Sequence, residues 1–129
     1  MINVLSIALG GAIGAVLRYF MSNLEYLLTH DVFPFSTLAV NLIGSLLVGF
    51  CWGLFDKMYI PSTARLFLFV GLFGGFTTFS SFAIENMHLL RDGKVNIALL
   101  NIFATNFFGI AAVFVGFYAA QYMYGVLNS

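Results

Sequence analysis

Four long apolar stretches constrain this chain more than any other feature of its sequence. They cover residues 3–28, 35–55, 66–90 and 95–124, and the second and fourth contain no charged side chain. An α-helix needs about 20 mostly apolar residues to cross roughly 30 Å of hydrocarbon. Because the runs are continuous rather than alternating, they predict helices and not barrel strands. The sequence therefore predicts an all-α membrane protein with four transmembrane helices, forming a single integral membrane domain over residues 1–129.

The composition excludes several classes of protein. Of the residues, 61% are hydrophobic and 8% charged, against about 25% charged in a soluble domain. The net charge of zero removes the basic face that nucleic-acid binding requires. The lone cysteine, Cys51, excludes a disulfide framework. His30 and His88 lie at span ends, which argues against a buried metal pair and leaves an intramembrane enzyme without a nucleophile and base.

The charges do not decide the orientation in the membrane. Four spans place both termini on one side, and that side carries Lys57 and Arg65. The opposite side carries Arg91 and Lys94, with Arg18 inside the first span. This balance is either an accident of few charges or a sign of dual topology, in which copies insert both ways. The simplest assembly for so small a chain is a twofold homodimer, antiparallel if the topology is dual.

Pairs of glycines four residues apart recur along the spans. Such pairs place small residues on one helix face and let two helix backbones approach closely in lipid. One interpretation is packing within a single subunit, and the other is contact between subunits. The pairs are Gly10 and Gly14, Gly49 and Gly53, and Gly71 and Gly75.

The third span contains residues that weaken a helix in its middle. Two adjacent glycines are followed by hydroxyl residues at positions 77, 78, 80 and 81. Non-helical backbone at membrane depth persists only where it lines a cavity or is buried in protein. We therefore expect the third helix to be broken at mid-membrane, the alternative being an intact helix whose hydroxyls bond back to the preceding turn. A break would expose carbonyl oxygens to a small hard cation.

Isolated polar side chains within the spans are candidates for a site, because burying them in lipid is costly. Asn41 lies in an otherwise apolar run, where its amide either binds an anion transiently or makes an interhelical hydrogen bond. Asn101 and Thr105 share a face of the fourth span, which suggests either a pathway or an interhelical ladder.

One cationic side chain and two aromatic rings are the remaining candidate site residues. Arg18 either snorkels to the interface, pairs with Glu25 or Glu85, or attracts anions into a vestibule. Phe79 and Phe82 lie three residues apart on one helix face, where their positive ring edges suit an anion. An ordinary packing role remains the alternative for any phenylalanine in a chain with 16 of them.

Three motifs, in order, carry a family resemblance. GGAIGAVLRY at 10–19, TLAVNLIG at 37–44 and GGFTTFSSF at 74–82 resemble the CrcB/Fluc family of microbial fluoride channels. The resemblance implies an antiparallel dual-topology homodimer with two fluoride pores. It also implies a structural sodium ion at the dimer centre, held by the backbone carbonyls of Gly74 and Thr77 of each subunit.

The same resemblance assigns pore residues. Phe79 and Phe82 become the pore phenylalanines and Asn41 the pore amide, while Asn101 and Thr105 sit at plausible positions in a fourth span that has no sharp motif. The family motif often has threonine where this chain has Ser81, which keeps the hydroxyl and counts as a pore residue.

The function that the resemblance implies is passive export of fluoride from the cytoplasm. The protein would be located in the bacterial inner membrane. Its partners would be membrane lipid, fluoride and a second copy of the chain. The rival is a small four-span proton-coupled multidrug exporter, which needs a membrane-embedded carboxylate. Glu25 and Glu85 both lie towards span ends, which counts against that rival. A purely structural membrane protein would explain the glycine pairs but not the centre of the third span or Asn41.

Overall fold

A computed structural model describes residues 1–29 and 32–129. His30, one of the two histidines considered above, lies outside the described residues. Four helical spans are long and apolar enough to cross a membrane: Ile2–Leu28, Phe35–Phe55, Ser62–Arg91 and Val95–Leu127. The described residues contain no strand. We label the helices α1 (Ile2–Leu28), α2 (Phe35–Phe55), α3 (Ser62–Arg65), α4 (Phe73–Phe76), α5 (Phe79–Arg91) and α6 (Val95–Leu127).

The third span is assembled from several pieces. After α3, residues Leu66–Leu72 wind as a π-helix, and α4 continues the winding. Thr77 and Thr78 then take extended backbone angles, with ψ of 158° and 123°, before α5 begins. We call this pair of residues the Thr77–Thr78 interruption. Gly74 and Gly75 lie within α4, so the interruption falls on the threonines that follow them; its depth in a membrane stays a prediction.

The helices pack as two close pairs. α1 packs against the third span, with Gly10 and Gly14 facing the backbone of residues 67–76. α2 packs against α6, where a Cβ on Gly49 would overlap the carbonyl oxygen of Val113 and one on Gly53 would lie 2.6 Å from that of Phe117. The glycine seams are therefore used inside one chain, the first of the two interpretations given above.

The outer surface of the chain is strongly apolar. Within the most apolar part of each span, only 11–22% of residues are buried, and large hydrophobic side chains are exposed along α1 and α6. Because hydrocarbon does not drive apolar side chains inward, such a surface suits lipid or another membrane-embedded chain. This exterior fits a protein that crosses the membrane several times.

Candidate functional site

A cavity of about 380 Å³ lies beside the Thr77–Thr78 interruption. Its wall comes from α2, the interruption, α5 and α6. Among the described residues that line it, none is ionisable. The polar members are Asn41, Ser45, Thr77, Thr78, Thr105 and Asn106, and the aromatic members are Phe79 and Phe82.

Asn41 holds the interruption at its centre. Its Nδ2 donates to the Thr78 carbonyl over 3.0 Å, and its Oδ1 accepts from the Thr78 N–H over 2.8 Å. An amide nitrogen carries two hydrogens, so one N–H of Asn41 remains after this pairing. The side chain thus makes the interhelical contact foreseen as one alternative, and it also lines the cavity.

This pairing changes the hydrogen bonding of two backbone carbonyls. In a continuous helix the Thr78 N–H would donate to Gly74 and the Ser81 N–H to Thr77. Here Thr78 N–H donates to Asn41, and Ser81 N–H donates to the Thr78 hydroxyl over 3.2 Å. Neither carbonyl therefore receives the N–H that a continuous helix would supply. Carbonyl oxygens left in this way are ligands that small hard cations accept.

The two phenylalanines differ in their surroundings. Phe82 is buried, while Phe79 is 78% exposed, and their ring centroids lie 5.6 Å apart with a 49° interplanar angle. The cavity therefore has one ring fixed in the protein and one at the chain surface. Ser81 does not line the cavity; only its backbone N–H takes part, through the Thr78 hydroxyl.

The polar residues of the fourth span separate into two environments. Thr105 lines the cavity, whereas Asn101 is 1% exposed and does not. Asn101 Nδ2 instead donates to Asn86 Oδ1 over 3.0 Å. Sequence reasoning did not find Asn86, because it lies on a different span from Asn101 and follows Glu85, a charged residue typical of a span end. It also omitted Ser45, which carries only the weak signal of a polar residue in an apolar run.

Arg18 donates to a backbone carbonyl of α4 rather than to a carboxylate. Its Nε donates to the Gly75 carbonyl over 3.2 Å. Within residues 1–29 and 32–129 it forms no ion pair with Glu25 or Glu85, and the Glu85 carboxylate accepts from the Thr37 hydroxyl instead. The pairing alternative is therefore wrong for this structure, while the vestibule role of Arg18 stays a prediction.

Replacing Asn41 separates its packing role from its role in the cavity. We expect Asn41→Ala to lower the melting temperature in detergent, because the part-buried Thr78 N–H and carbonyl lose their partners, at a cost below the roughly 1–3 kcal/mol of a fully buried group. Asn41→Asp keeps an acceptor for the Thr78 N–H, but its ionised carboxylate would face the Thr78 carbonyl oxygen and repel anions, so it should lower fluoride efflux without recovering stability. Asn96→Ala, at an exposed position of α6, is the matched control. Equal melting temperatures for Asn41→Ala and this control would contradict the bracing role of Asn41.

Known proteins resemble this chain over most of its length. Residues 5–117 match the family described as CrcB-like protein, Camphor Resistance (CrcB). A protein of Parabacteroides distasonis named fluoride-specific ion channel FluC is 49% identical over 90% of this chain and 91% of its own length. Relatives of the same name from Thermus thermophilus and Magnetococcus marinus are 45% and 40% identical, over 88% and 85% of this chain and 90% of each relative. The matched residues include the cavity lining and the whole Thr77–Thr78 interruption. Because the family match covers most of the chain, the chain belongs to the CrcB family.

Proposed function

We propose that this protein is a fluoride-selective channel that lets the anion leave the cytoplasm passively. The observation that carries the proposal is the neutral cavity at the Thr77–Thr78 interruption, in a chain whose relatives are named fluoride-specific ion channels. The same relatives favour a channel over the drug exporter considered as a rival. A channel of this kind performs no covalent chemistry, so the chain is not an enzyme.

Selectivity follows from replacing the water around a small anion. Fluoride gives up hydration only if donors of similar strength take over. The remaining N–H of Asn41, the Ser45 hydroxyl and the ring edges of Phe79 and Phe82 supply such donors. None of these groups carries a full positive charge, so the anion is stabilised without being trapped. A negative-inside potential drives it outward with about 2.3 kcal/mol per 100 mV.

The assembly that completes the pore is an antiparallel homodimer of dual topology, with two pores. Phe79 is exposed although it lines the cavity, and Gly74 is exposed beside the interruption. Covering both with a second copy removes polar backbone and an open cavity wall from lipid. The balanced charges on the two sides of the spans allow the copies to insert in opposite orientations.

A sodium ion at the dimer centre suits the carbonyls of Gly74 and Thr77. Both have lost their helical N–H partners to the side chains of Asn41 and Thr78. A cation bound there would supply positive charge that offsets the carbonyl dipoles, and it would join the two subunits. Because its ligands would be backbone oxygens of both copies, the ion would be structural and would not be transported. The protein and its lipid partners would lie in the bacterial inner membrane.

Efflux from vesicles tests the function. Purified protein in liposomes loaded with potassium fluoride should release fluoride rapidly once valinomycin removes the charge imbalance, with sodium present on both sides. Vesicles loaded with potassium chloride should release little chloride, because the larger anion does not fit donors spaced for fluoride. The readout is an ion-selective electrode.

Two further arms separate the alternatives. Protein-free liposomes set the background leak of fluoride. A second experiment replaces sodium by N-methylglucamine during purification and tests the structural cation. Its readout is whether the protein still elutes as a dimer on size exclusion. Absence of fluoride release in the sodium arm would overturn the channel. Uptake of a cationic drug driven by a proton gradient would restore the exporter hypothesis.

A further inference from the structure

A line of hydrogen bonds leaves the cavity wall, crosses the interface of α5 and α6, and returns to the cavity. Thr105 Oγ1 donates to Asn101 Oδ1 over 3.2 Å. Asn101 then donates to Asn86 Oδ1, and Asn86 Nδ2 donates to the Phe82 carbonyl over 2.9 Å. Asn86 and Asn101 are 6% and 1% exposed, so water does not compete for these bonds. We call this line of bonds the Asn86–Asn101 relay.

The Phe82 carbonyl, at one end of the relay, fixes the donor and the acceptor of every bond in it. A backbone carbonyl accepts hydrogen bonds and cannot donate them. The Phe82 carbonyl therefore requires Asn86 to present its NH₂ group, which turns the Asn86 oxygen towards Asn101. Asn101 must then present its own NH₂ group to Asn86, which turns its oxygen towards Thr105. Thr105 faces an acceptor and must be the donor.

This polarity has a consequence for the cavity. A hydroxyl group has one proton, and the Thr105 proton is already given to Asn101. Thr105 therefore presents only lone pairs to the cavity that it lines. An anion requires donors, so Thr105 binds one only after its bond to Asn101 is broken.

We propose that Asn86 and Asn101 are positioning residues that hold the Thr105 proton out of the cavity and thereby weaken fluoride binding at that wall. The inference rests on the proposed function, since it concerns the affinity of the same site. Weak binding favours conduction, because an ion that binds tightly leaves slowly. The relay thus limits affinity in favour of flow.

The double variant Asn86→Leu/Asn101→Leu tests the relay. It replaces both amides by apolar groups of similar size, so neither is left buried without its partner. The Thr105 hydroxyl is then free to donate into the cavity. We expect the half-saturating fluoride concentration for efflux to fall about tenfold, the order expected for one hydrogen bond to a charged ion, together with a lower maximal rate. A merely structural defect would lower the maximal rate without this gain in affinity.

Further variants complete the test. Adding Thr105→Val to the double variant should reverse its gain in fluoride affinity. The loss of affinity caused by Thr105→Val should therefore be larger in the double variant than in the native chain. Asn96→Leu, on the exposed side of α6, controls for the added apolar surface. If the double variant does not yield folded protein, Asn86→Ala serves instead. This substitution removes the hydrogen bond to the Phe82 carbonyl and allows the Asn101 amide group to rotate by half a turn. Its NH₂ group can then donate to Thr105, so the half-saturating fluoride concentration should also fall.

Two results would overturn the relay. One is an unchanged half-saturating concentration in folded relay variants. The other is an equal cost of Thr105→Val with and without the relay, because Thr105 would then already donate to fluoride. Both require a native protein that conducts fluoride. Absence of fluoride efflux from the native protein would instead refute the proposed function.

Discussion

Fluoride efflux should fall by about a hundredfold or more when Phe82 is replaced by isoleucine, a loss equivalent to about 2.7 kcal/mol. Phe82 is the buried ring of the cavity, held close to Phe79. Isoleucine keeps an apolar side chain of comparable bulk but has no ring edge with a positive partial charge. The anion then loses a stabilising group at a point where water is excluded. The measurement is the initial rate of valinomycin-dependent fluoride release.

The control must show that the pore is affected and not the fold. Phe103→Ile changes an exposed ring of α6 that lies outside the cavity, and its efflux should match that of the native chain. Both variants should elute from size exclusion as the native assembly does. Native flux in Phe82→Ile would remove Phe82 from the conduction path.

Replacing Gly49 by alanine should destabilise the protein by about 3 kcal/mol, the upper range for an overpacked contact. The added Cβ would overlap the Val113 carbonyl oxygen and lie 2.8 Å from the carbonyl carbon. Both atoms belong to the backbone of α6, so no side-chain rotation relieves the contact. The two helices must separate, and the cavity wall they share must open. Thermal unfolding in detergent measures the loss.

Gly125→Ala provides the matched comparison for this substitution. It makes the same chemical change on α6, at a position where a Cβ would have no neighbour within 4 Å. Alanine is the better helix former by up to about 1 kcal/mol, so this variant should unfold at the same temperature or slightly higher. Equal stabilities of Gly49→Ala and Gly125→Ala would show that α2 and α6 are free to separate at this contact.

The spans could be predicted because hydrocarbon thickness imposes their length. The second stretch, 35–55, has the bounds of α2, and α6 continues three residues past the expected end, to Leu127. The third span begins at Ser62 rather than 66, since its first turn is polar and gives no hydropathy signal. Its two adjacent glycines are expected to weaken the helix, yet both lie within α4, where Gly75 packs against the backbone of α1 at Gly11.

The candidate site was less accessible to sequence reasoning. Asn41 stood out as a lone amide in an apolar run, but its clamp on Thr78 joins residues on different spans. The same limit applies to Asn86 and Asn101, whose pairing depends on how α5 and α6 meet. Hydropathy describes each helix separately, whereas these bonds arise only when the helices pack. The pore roles assigned to Phe79, Phe82, Asn41, Ser81, Asn101 and Thr105 therefore stay predictions.

The π-helical segment Leu66–Leu72 alters how positions along the third span correspond to its faces. Each π turn closes between residues i and i+5, so it contains one residue more than an α turn. A helical wheel drawn through this segment with ordinary spacing assigns the following residues to the wrong side. The extra residue of the π turn also marks a position where the chain could tolerate a deletion. Deleting one residue there would let the segment return to ordinary winding while both ends of the span keep their neighbours.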